Sequence, residues 1–403
     1  MIASDCKNSI PMQIVILGAG YAGLRAAIDL DRLLRQRGRD DEVTLVDQHN
    51  YHQLVQVVHL AATAAIPDKK AIYDLAPLLS NSKVRLVQGR ANLIDPLERR
   101  VVFADGNSLT YDRLAITLGA ETAYVGVPGA REHTLPLHTF AHALRLRDHV
   151  IAQFAAAAKE RDTKQQRILQ TTAIVGGGYT GCQLAGELVT WADDLCRESG
   201  APRAEVRVAL IERTNYLLPQ FGDWATQAAE LVLDRQGVSV YRNTLVEAVE
   251  PQMLHIQGGR VLRAGSIVWA AGIAGPELLA QSGLAVEEHG RVMVDRYLRV
   301  QDQALIFAAG DCAAVPNSPD PGTVPATASY AMRQGAHLAT TLLAEVEGRA
   351  PRPYEPLKLG ELVSLGPHYA VGNPLGLPMT GYPALWMKKG VEQYYRSILE
   401  DGT

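Results

Sequence analysis

The stretch Ile14-Val-Ile-Leu-Gly18-Ala-Gly20-Tyr-Ala-Gly23-Leu-Arg-Ala-Ala decides how the rest of the chain is read. Its four apolar residues predict a buried parallel strand, and Leu24, Ala26, Ala27 and Leu30 predict an amphipathic helix. Between them each glycine has its own steric task. Gly18 permits the tight bend, Gly20 lets a pyrophosphate reach the backbone, and Gly23 lets the helix pack on the strand. The helix N-terminus then faces the phosphates. The next predicted strand, 42–47, ends in Asp47, a carboxylate placed for a ribose hydroxyl. Asp47 lies 29 residues beyond Gly18, further than the usual spacing of about 20. The polar stretch Arg35 to Asp41 accounts for the difference, and a strand-end cap is the alternative role.

The pattern then repeats. Thr172-Ala-Ile-Val-Gly176-Gly-Gly178-Tyr-Thr-Gly181 is a second strand, turn and helix start, and a second acidic strand end follows at Glu212. The chain therefore carries two dinucleotide modules. Each has an exit strand closing on glycine, the first at Thr117-Leu-Gly119 and the second at Trp269-Ala-Ala-Gly272, where a glycine lets backbone approach a ligand. A later buried strand closes on Gly310-Asp311. A carboxylate beside glycine is a common turn, but its place after two nucleotide modules favours a cofactor hydroxyl. A helix starts within 325–335, a helical region spans 138–160, and a strand is expected over 83–89. Residues 101–103 and 109–111 read as a hairpin, and 48–62 as a loop leading into a helix. In that loop His52 and His59 are as open to a structural role as to cofactor contact.

At 403 residues the chain exceeds one core, and 47% hydrophobic, 20% charged, with 35 glycines and 21 prolines, it reads as a turn-rich α/β protein. A net charge of −4 with no long basic run argues against nucleic acid. The four cysteines, Cys6, Cys182, Cys196 and Cys312, are scattered without C-x-x-C spacing, which predicts a reducing compartment and neither a metal nor a dithiol site. Residues 1–11 read as a loose polar tail without a signal-peptide core, predicting a cytoplasmic protein. No apolar run reaches the roughly 18 residues a bilayer-crossing helix needs.

The order of motifs resembles the flavoprotein reductases with two dinucleotide-binding domains, and most of all the type II NADH:quinone oxidoreductases. Beyond the glycine turns the resemblance rests on Asn50-Tyr51-His52, Tyr111-Asp112 with Thr117-x-Gly119, and Gly177-Gly178-x-Thr180-Gly181. It continues through Val268-Trp269-Ala-Ala-Gly272, Gly310-Asp311-Cys312 and the stretch from Leu359 to Gly366. It implies two Rossmann-like domains, one for FAD over 12–121 and 288–345 and one for NADH over 122–287. A C-terminal segment over 346–403 ends in an amphipathic helix. Carried over, Gly18, Gly20, Gly23, Asp47, Thr117, Gly119, Gly310, Asp311 and Ala328 serve non-covalent FAD. Gly176, Gly178, Gly181, Glu212 and Gly272 serve NADH. Glu212 favours NADH because a carboxylate accepts from the 2′-hydroxyl and repels a 2′-phosphate, although Arg213 beside it can recruit that phosphate. The implied activity passes hydride from NADH to flavin and then two electrons to a quinone, without proton pumping.

Three departures from the family pattern stand near the implied quinone and nicotinamide positions. Ser329 and Arg333-Gln334 replace the usual Ala-Gln and Gln-Gln, and Gln183 replaces a glutamate, which removes an ionisable group. Gln183, Gln334, Lys388 and Lys389 are the residues expected to act on substrates, the lysines by holding or protonating quinone. Met387, Val391, Tyr394, Tyr395 and Ile398 form one helical stripe flanked by Lys388, Lys389 and Arg396, with Trp386 as an interfacial anchor. From pattern alone the stripe fits packing on the protein itself or in a homodimer. The resemblance makes it a membrane contact, with the protein peripheral on the inner face of the cell membrane. The rival readings are a ferredoxin- or rubredoxin-type reductase with a protein acceptor, and a slow NADH-sensing flavoprotein. Sulfide:quinone oxidoreductase shares the fold but needs paired redox cysteines, whereas Cys182 and Cys312 read as small packing residues.

Overall fold

The computed structural model describes residues 11–400, so the expected tail over 1–11, Pro11 excepted, lies outside the described residues, as does Cys6. The opening strand forms at Gln13–Leu17 with Ile14 to Leu17 all buried, as a continuous apolar run in a parallel sheet must be. It pairs in parallel with Glu42–Asp47 on one side and Arg113–Ile116 on the other. Arg85–Gln88 extends the sheet beyond the acid-ended strand, and Ile306–Ala308, arriving from late in the chain, closes the opposite edge.

The second sheet repeats this plan. Thr171–Val175 lies between Arg207–Ile211 and Ser266–Trp269, with Val238–Tyr241 and Leu135–Pro136 at the edges, all parallel. In both sheets the glycine-turn strand is flanked by the acid-ended strand and the exit strand. That order brings Gly18, Asp47 and Thr117 to one carboxyl edge, and Gly176, Glu212 and Gly272 to the other.

Each sheet carries a three-stranded antiparallel meander. One is Ala91–Asp95, Arg100–Phe103 and Ser108–Thr110, and the other is Val246–Glu250, Met253–Ile256 and Arg260–Arg263. The hairpin expected over 101–111 is thus two strands of three. Its partner Ala91–Asp95 buries only Ile94, which leaves little apolar alternation to read. Residues 48–62 also differ from a plain loop and helix. Tyr51–Gln53 is a short strand paired with Ile72–Asp74, and the helix starts at Val58.

The helix Tyr21–Gln36 packs against Ala328–Val346 so closely that a Cβ on Gly335 would fall 2.3 Å from the Ala22 carbonyl oxygen. The C-terminal segment adds a small antiparallel sheet, Leu362–Ser364, Ala370–Gly372 and Met379–Thr380, followed by the helix Gly381–Glu400. Here the expected stripe divides. Met387, Val391 and Tyr394 are exposed together with Tyr382 and Trp386, whereas Tyr395 is buried. Lys388, expected beside the stripe, is also buried, with Ala384, Leu385 and Leu399. The helix has two apolar faces, and spacing alone does not assign each residue to one of them.

Candidate functional site

The two glycine turns have the same internal mechanics. Gly18 adopts φ +98°, and a Cβ there would sit 2.3 Å from the Thr117 carbonyl oxygen; on Gly23 it would sit 1.8 Å from the Gly18 oxygen. At the second turn Gly176 adopts φ +110° and is blocked at 2.3 Å by the Ala270 oxygen, and Gly181 at 1.9 Å by the Gly176 oxygen. These four positions need glycine so that the chain can fold. Gly20 and Gly178 are different, since a Cβ on either meets nothing within 4 Å. Each precedes a helix whose first turn holds no acidic residue and has no side-chain cap. Uncapped amides facing open space suit an anionic phosphate.

Each turn is backed by its acid. Asp47 accepts from Ala19 N–H at 2.6 Å and His49 N–H at 2.8 Å. Glu212 accepts from Gly177 N–H at 2.8 Å and Thr214 N–H at 2.7 Å. Burial raises the Asp47 pKa despite those donors. The strand-end cap and the ribose acceptor are thus compatible, because each carboxylate has further lone pairs. Thr117 donates to the Leu17 and Gly18 carbonyls at 2.8 and 2.9 Å, so its hydroxyl shapes the turn. The exit segments after Gly119 and Gly272 run alongside each other, with Glu121–Thr122 paired to Ile273–Ala274.

Gly310 and Asp311 stand at the end of the Ile306–Ala308 strand, and burial lifts the Asp311 carboxyl to about 6 against the opposing charge of Arg291. Gln334 is buried beneath them, its amide oxygen accepting the Gly310 N–H at 2.7 Å, so it positions this turn. Ala328 opens the adjoining helix. Arg333, the neighbouring departure, donates to Ser329 at 2.9 Å and to the Leu357 carbonyl.

Gln183 and Lys388 belong to a buried polar cluster. Gln183 donates to Ser364 Oγ at 3.3 Å, and that hydroxyl lies 3.5 Å from His59 Nε2. Lys388 pairs with Glu392, while Lys389 is exposed. Glu187, one helical turn beyond Gln183, is buried within reach of both lysine charges. Sequence reading passed over Glu187, because its i, i+4 spacing from Gln183 puts the two on one helix face without showing that the face is buried.

His52 is structural. Its Nδ1 faces the Ala19 carbonyl at 2.9 Å and its Nε2 accepts from Tyr395 O–H at 3.0 Å, which ties the C-terminal helix to the first glycine turn. Burial lowers its pKa to about 4 and holds His59 well below the usual histidine value, so both are neutral. The second turn is tied in the same way, because Tyr179 donates to Glu361 and stacks on Phe221. Cys182 and Cys312 are buried, and burial raises both thiols, Cys312 to about 12, far from reactive thiolates. Among the described residues there is no metal-ligand cluster, and no helix is long and apolar enough to cross a membrane.

Residues 12–335 match the pyridine nucleotide-disulphide oxidoreductase family. The type II NADH:quinone oxidoreductase of Staphylococcus haemolyticus is 30% identical over 385 residues, covering 94% of each chain. Its counterpart in Staphylococcus aureus is 29% identical over the same length and coverage. Among solved structures, NDH2 from Plasmodium falciparum in complex with NADH gives a TM-score of 0.86 at 17% identity, covering 97% of this chain and 95% of that one. Sulfide:quinone oxidoreductase from Aquifex aeolicus gives 0.78 at 21% identity, covering 97% and 92%. At such identities the structural likeness is one of fold. Two matched glycine turns, their acids and the relatives that span the whole architecture agree: the chain belongs to the pyridine nucleotide-disulphide oxidoreductases and, within them, to the type II NADH:quinone oxidoreductase family.

Proposed function

We propose that the protein oxidises NADH and reduces a quinone through non-covalently bound FAD, as a peripheral protein on the inner face of the cell membrane and without pumping protons. The module over 12–121 and 288–345 takes FAD, and that over 122–287 takes NADH. The observation that carries this reading is the contrast within each turn. Two glycines are blocked by the protein's own backbone, and one, Gly20 or Gly178, opens on space that a pyrophosphate fills. Bound FAD supplies the hydride acceptance and the two-electron delivery.

The chain's own residues bind and orient. The first-turn amides at Tyr21 and Tyr179 receive phosphate, and Asp47 accepts from a ribose hydroxyl of FAD. Asp311, held through Gly310 and Gln334, receives the ribityl end. Glu212 accepts from the adenosine ribose of NADH and disfavours a 2′-phosphate. Trp386 and Tyr394, 76% and 67% exposed, lead the outer apolar face of the C-terminal helix. They suit the bilayer interface, with Lys389 available to anionic headgroups. On the inner face Lys388 is buried, and its charge reaches His59 in the polar cluster at Gln183, which supports a role for it toward the quinone.

Anaerobic stopped-flow tests the reading. NADH should bleach the yellow protein, and a menaquinone analogue should restore its colour quickly. Recovery only with oxidised ferredoxin, or with neither acceptor, would overturn it.

A further inference from the structure

Reducing a quinone to a quinol takes two electrons and two hydrogens, and the hydride of NADH brings both electrons and only one hydrogen. The second hydrogen is a proton taken from water, so that NADH, one proton and one quinone give NAD⁺ and one quinol. A protein that buries this reaction needs a protonatable side chain along the route. Gln183 cannot serve, because an amide does not ionise in this range.

Glu187 lies one turn further along the same helix and is 4% exposed. Four elements converge there. The helix Tyr179–Ser199 brings Gln183 and Glu187, the helix Val58–Ala62 brings His59, the strand Leu362–Ser364 brings Ser364, and the C-terminal helix brings Lys388, Lys389 and Glu392. The packing is fixed, since Gly186 backs onto the chain so closely that a Cβ would meet Gly366 N at 2.4 Å. His59 is neutral and Lys388 is paired with Glu392. Glu187 alone in this cluster combines burial with a carboxyl balanced between two opposing influences. Burial raises it to about 7, and the charges of Lys388 and Lys389 oppose that rise.

We propose that Glu187 is the protonatable residue that supplies the second hydrogen of the quinol by way of Lys388. The Lys388 ammonium gives a proton to the acceptor oxygen and recovers one from the Glu187 carboxyl. The resulting carboxylate is stabilised by both lysines and takes its replacement from water on the side of exposed Lys389. Glu187 acts through Lys388 and is in that sense a positioning and relay residue. This rests on the NADH:quinone reading.

The test separates the two half-reactions in holoenzyme carrying Glu187→Gln, Glu187→Asp or Lys389→Met. Wild-type flavin reoxidation by decylubiquinone should slow as pH rises through about 7, the acid form being the competent one. Glu187→Gln should reoxidise roughly 100-fold more slowly, as for loss of a general acid, with that pH dependence gone, while reduction by NADH is unchanged. Glu187→Asp should restore part of the rate. Lys389→Met, a surface change, should move the profile to higher pH because it removes a charge that favours the carboxylate. The infrared carbonyl band of a protonated carboxyl should titrate over the same range in wild type and be missing in Glu187→Gln. A reoxidation profile and an infrared band that survive in Glu187→Gln would overturn the relay alone. Failure of decylubiquinone to reoxidise the wild type would overturn the quinone reading and the relay with it.

Discussion

Replacing Gly20 by alanine separates what the first turn does for the fold from what it does for the cofactor. Gly20 sits at φ −71° and ψ −167°, an extended conformation open to alanine, and the added methyl meets no protein atom within 4 Å. The apoprotein should therefore lie within about 0.5 kcal/mol of wild type. The methyl does occupy the approach to the first-turn amides, and displacing a phosphate oxygen there removes at least one charge-assisted hydrogen bond, each worth about 1.5–3 kcal/mol. At 1.4 kcal/mol per tenfold, FAD affinity should fall roughly 10- to 150-fold. Titrating apoprotein with FAD by flavin fluorescence, alongside thermal melting, measures both quantities. Gly23→Ala is the contrast. Its methyl would lie 1.8 Å from the Gly18 oxygen and 2.4 Å from Thr117 Oγ1, so that variant should lose folded yield before any question of affinity arises. Wild-type FAD affinity in Gly20→Ala would show that no pyrophosphate passes this position. A fall of more than about 4 °C in apoprotein melting would refute the steric reasoning itself.

Three other outcomes follow from the same geometry. Glu212→Gln should narrow the preference for NADH over NADPH roughly 10- to 150-fold in the ratio of kcat/KM values, the worth of one hydrogen bond to a charged group, and an unchanged ratio removes Glu212 from nucleotide selection. Trp386→Ser with Tyr394→Ser should weaken cosedimentation with anionic vesicles about 100-fold or more, since each ring contributes roughly 2 kcal/mol when buried; undiminished sedimentation, or a shift from dimer to monomer without vesicles, would reassign that face. His52, its folded pKa lowered to about 4, contributes stability that is fully present above its unfolded value near 6.5 and is lost as pH falls toward 4. Melting should therefore decline over that window by the equivalent of about 1 kcal/mol per pH unit for this group, and His52→Gln should make the slope shallower.

What was legible in the sequence is what short-range sterics dictates. Gly18 and Gly23 lie five residues apart, and a side chain on Gly23 would run directly into the Gly18 carbonyl oxygen, so their spacing carries the turn wherever it occurs. The acids at Asp47 and Glu212 follow from the same unit, because a parallel neighbour strand of matching length delivers its end residue to the turn. Periodicity likewise announced the C-terminal helix but not its orientation. Tyr395 and Met387 are both apolar at helical spacing, yet one hydrogen-bonds His52 beneath the first turn and the other is exposed. The difference is made by a histidine 343 residues away in the chain, which no local pattern encodes. Glu187 was illegible for the same reason. On a helix a glutamate reads as a solvated charge, whereas here the far end of the chain packs on the adjacent Gly186 through Leu365 and Gly366 and brings the Lys388 charge within reach of a buried Glu187. Residues whose chemistry depends on long-range closure are therefore the ones sequence reading misplaces, and here they gather where the C-terminal segment meets both nucleotide modules. That segment reaches the first turn through Tyr395 and His52 and the second through Glu361 and Tyr179. A helix whose outer apolar face is exposed thus has its other face hydrogen-bonded to His52 beneath the first glycine turn, and any displacement of that helix must act on that turn.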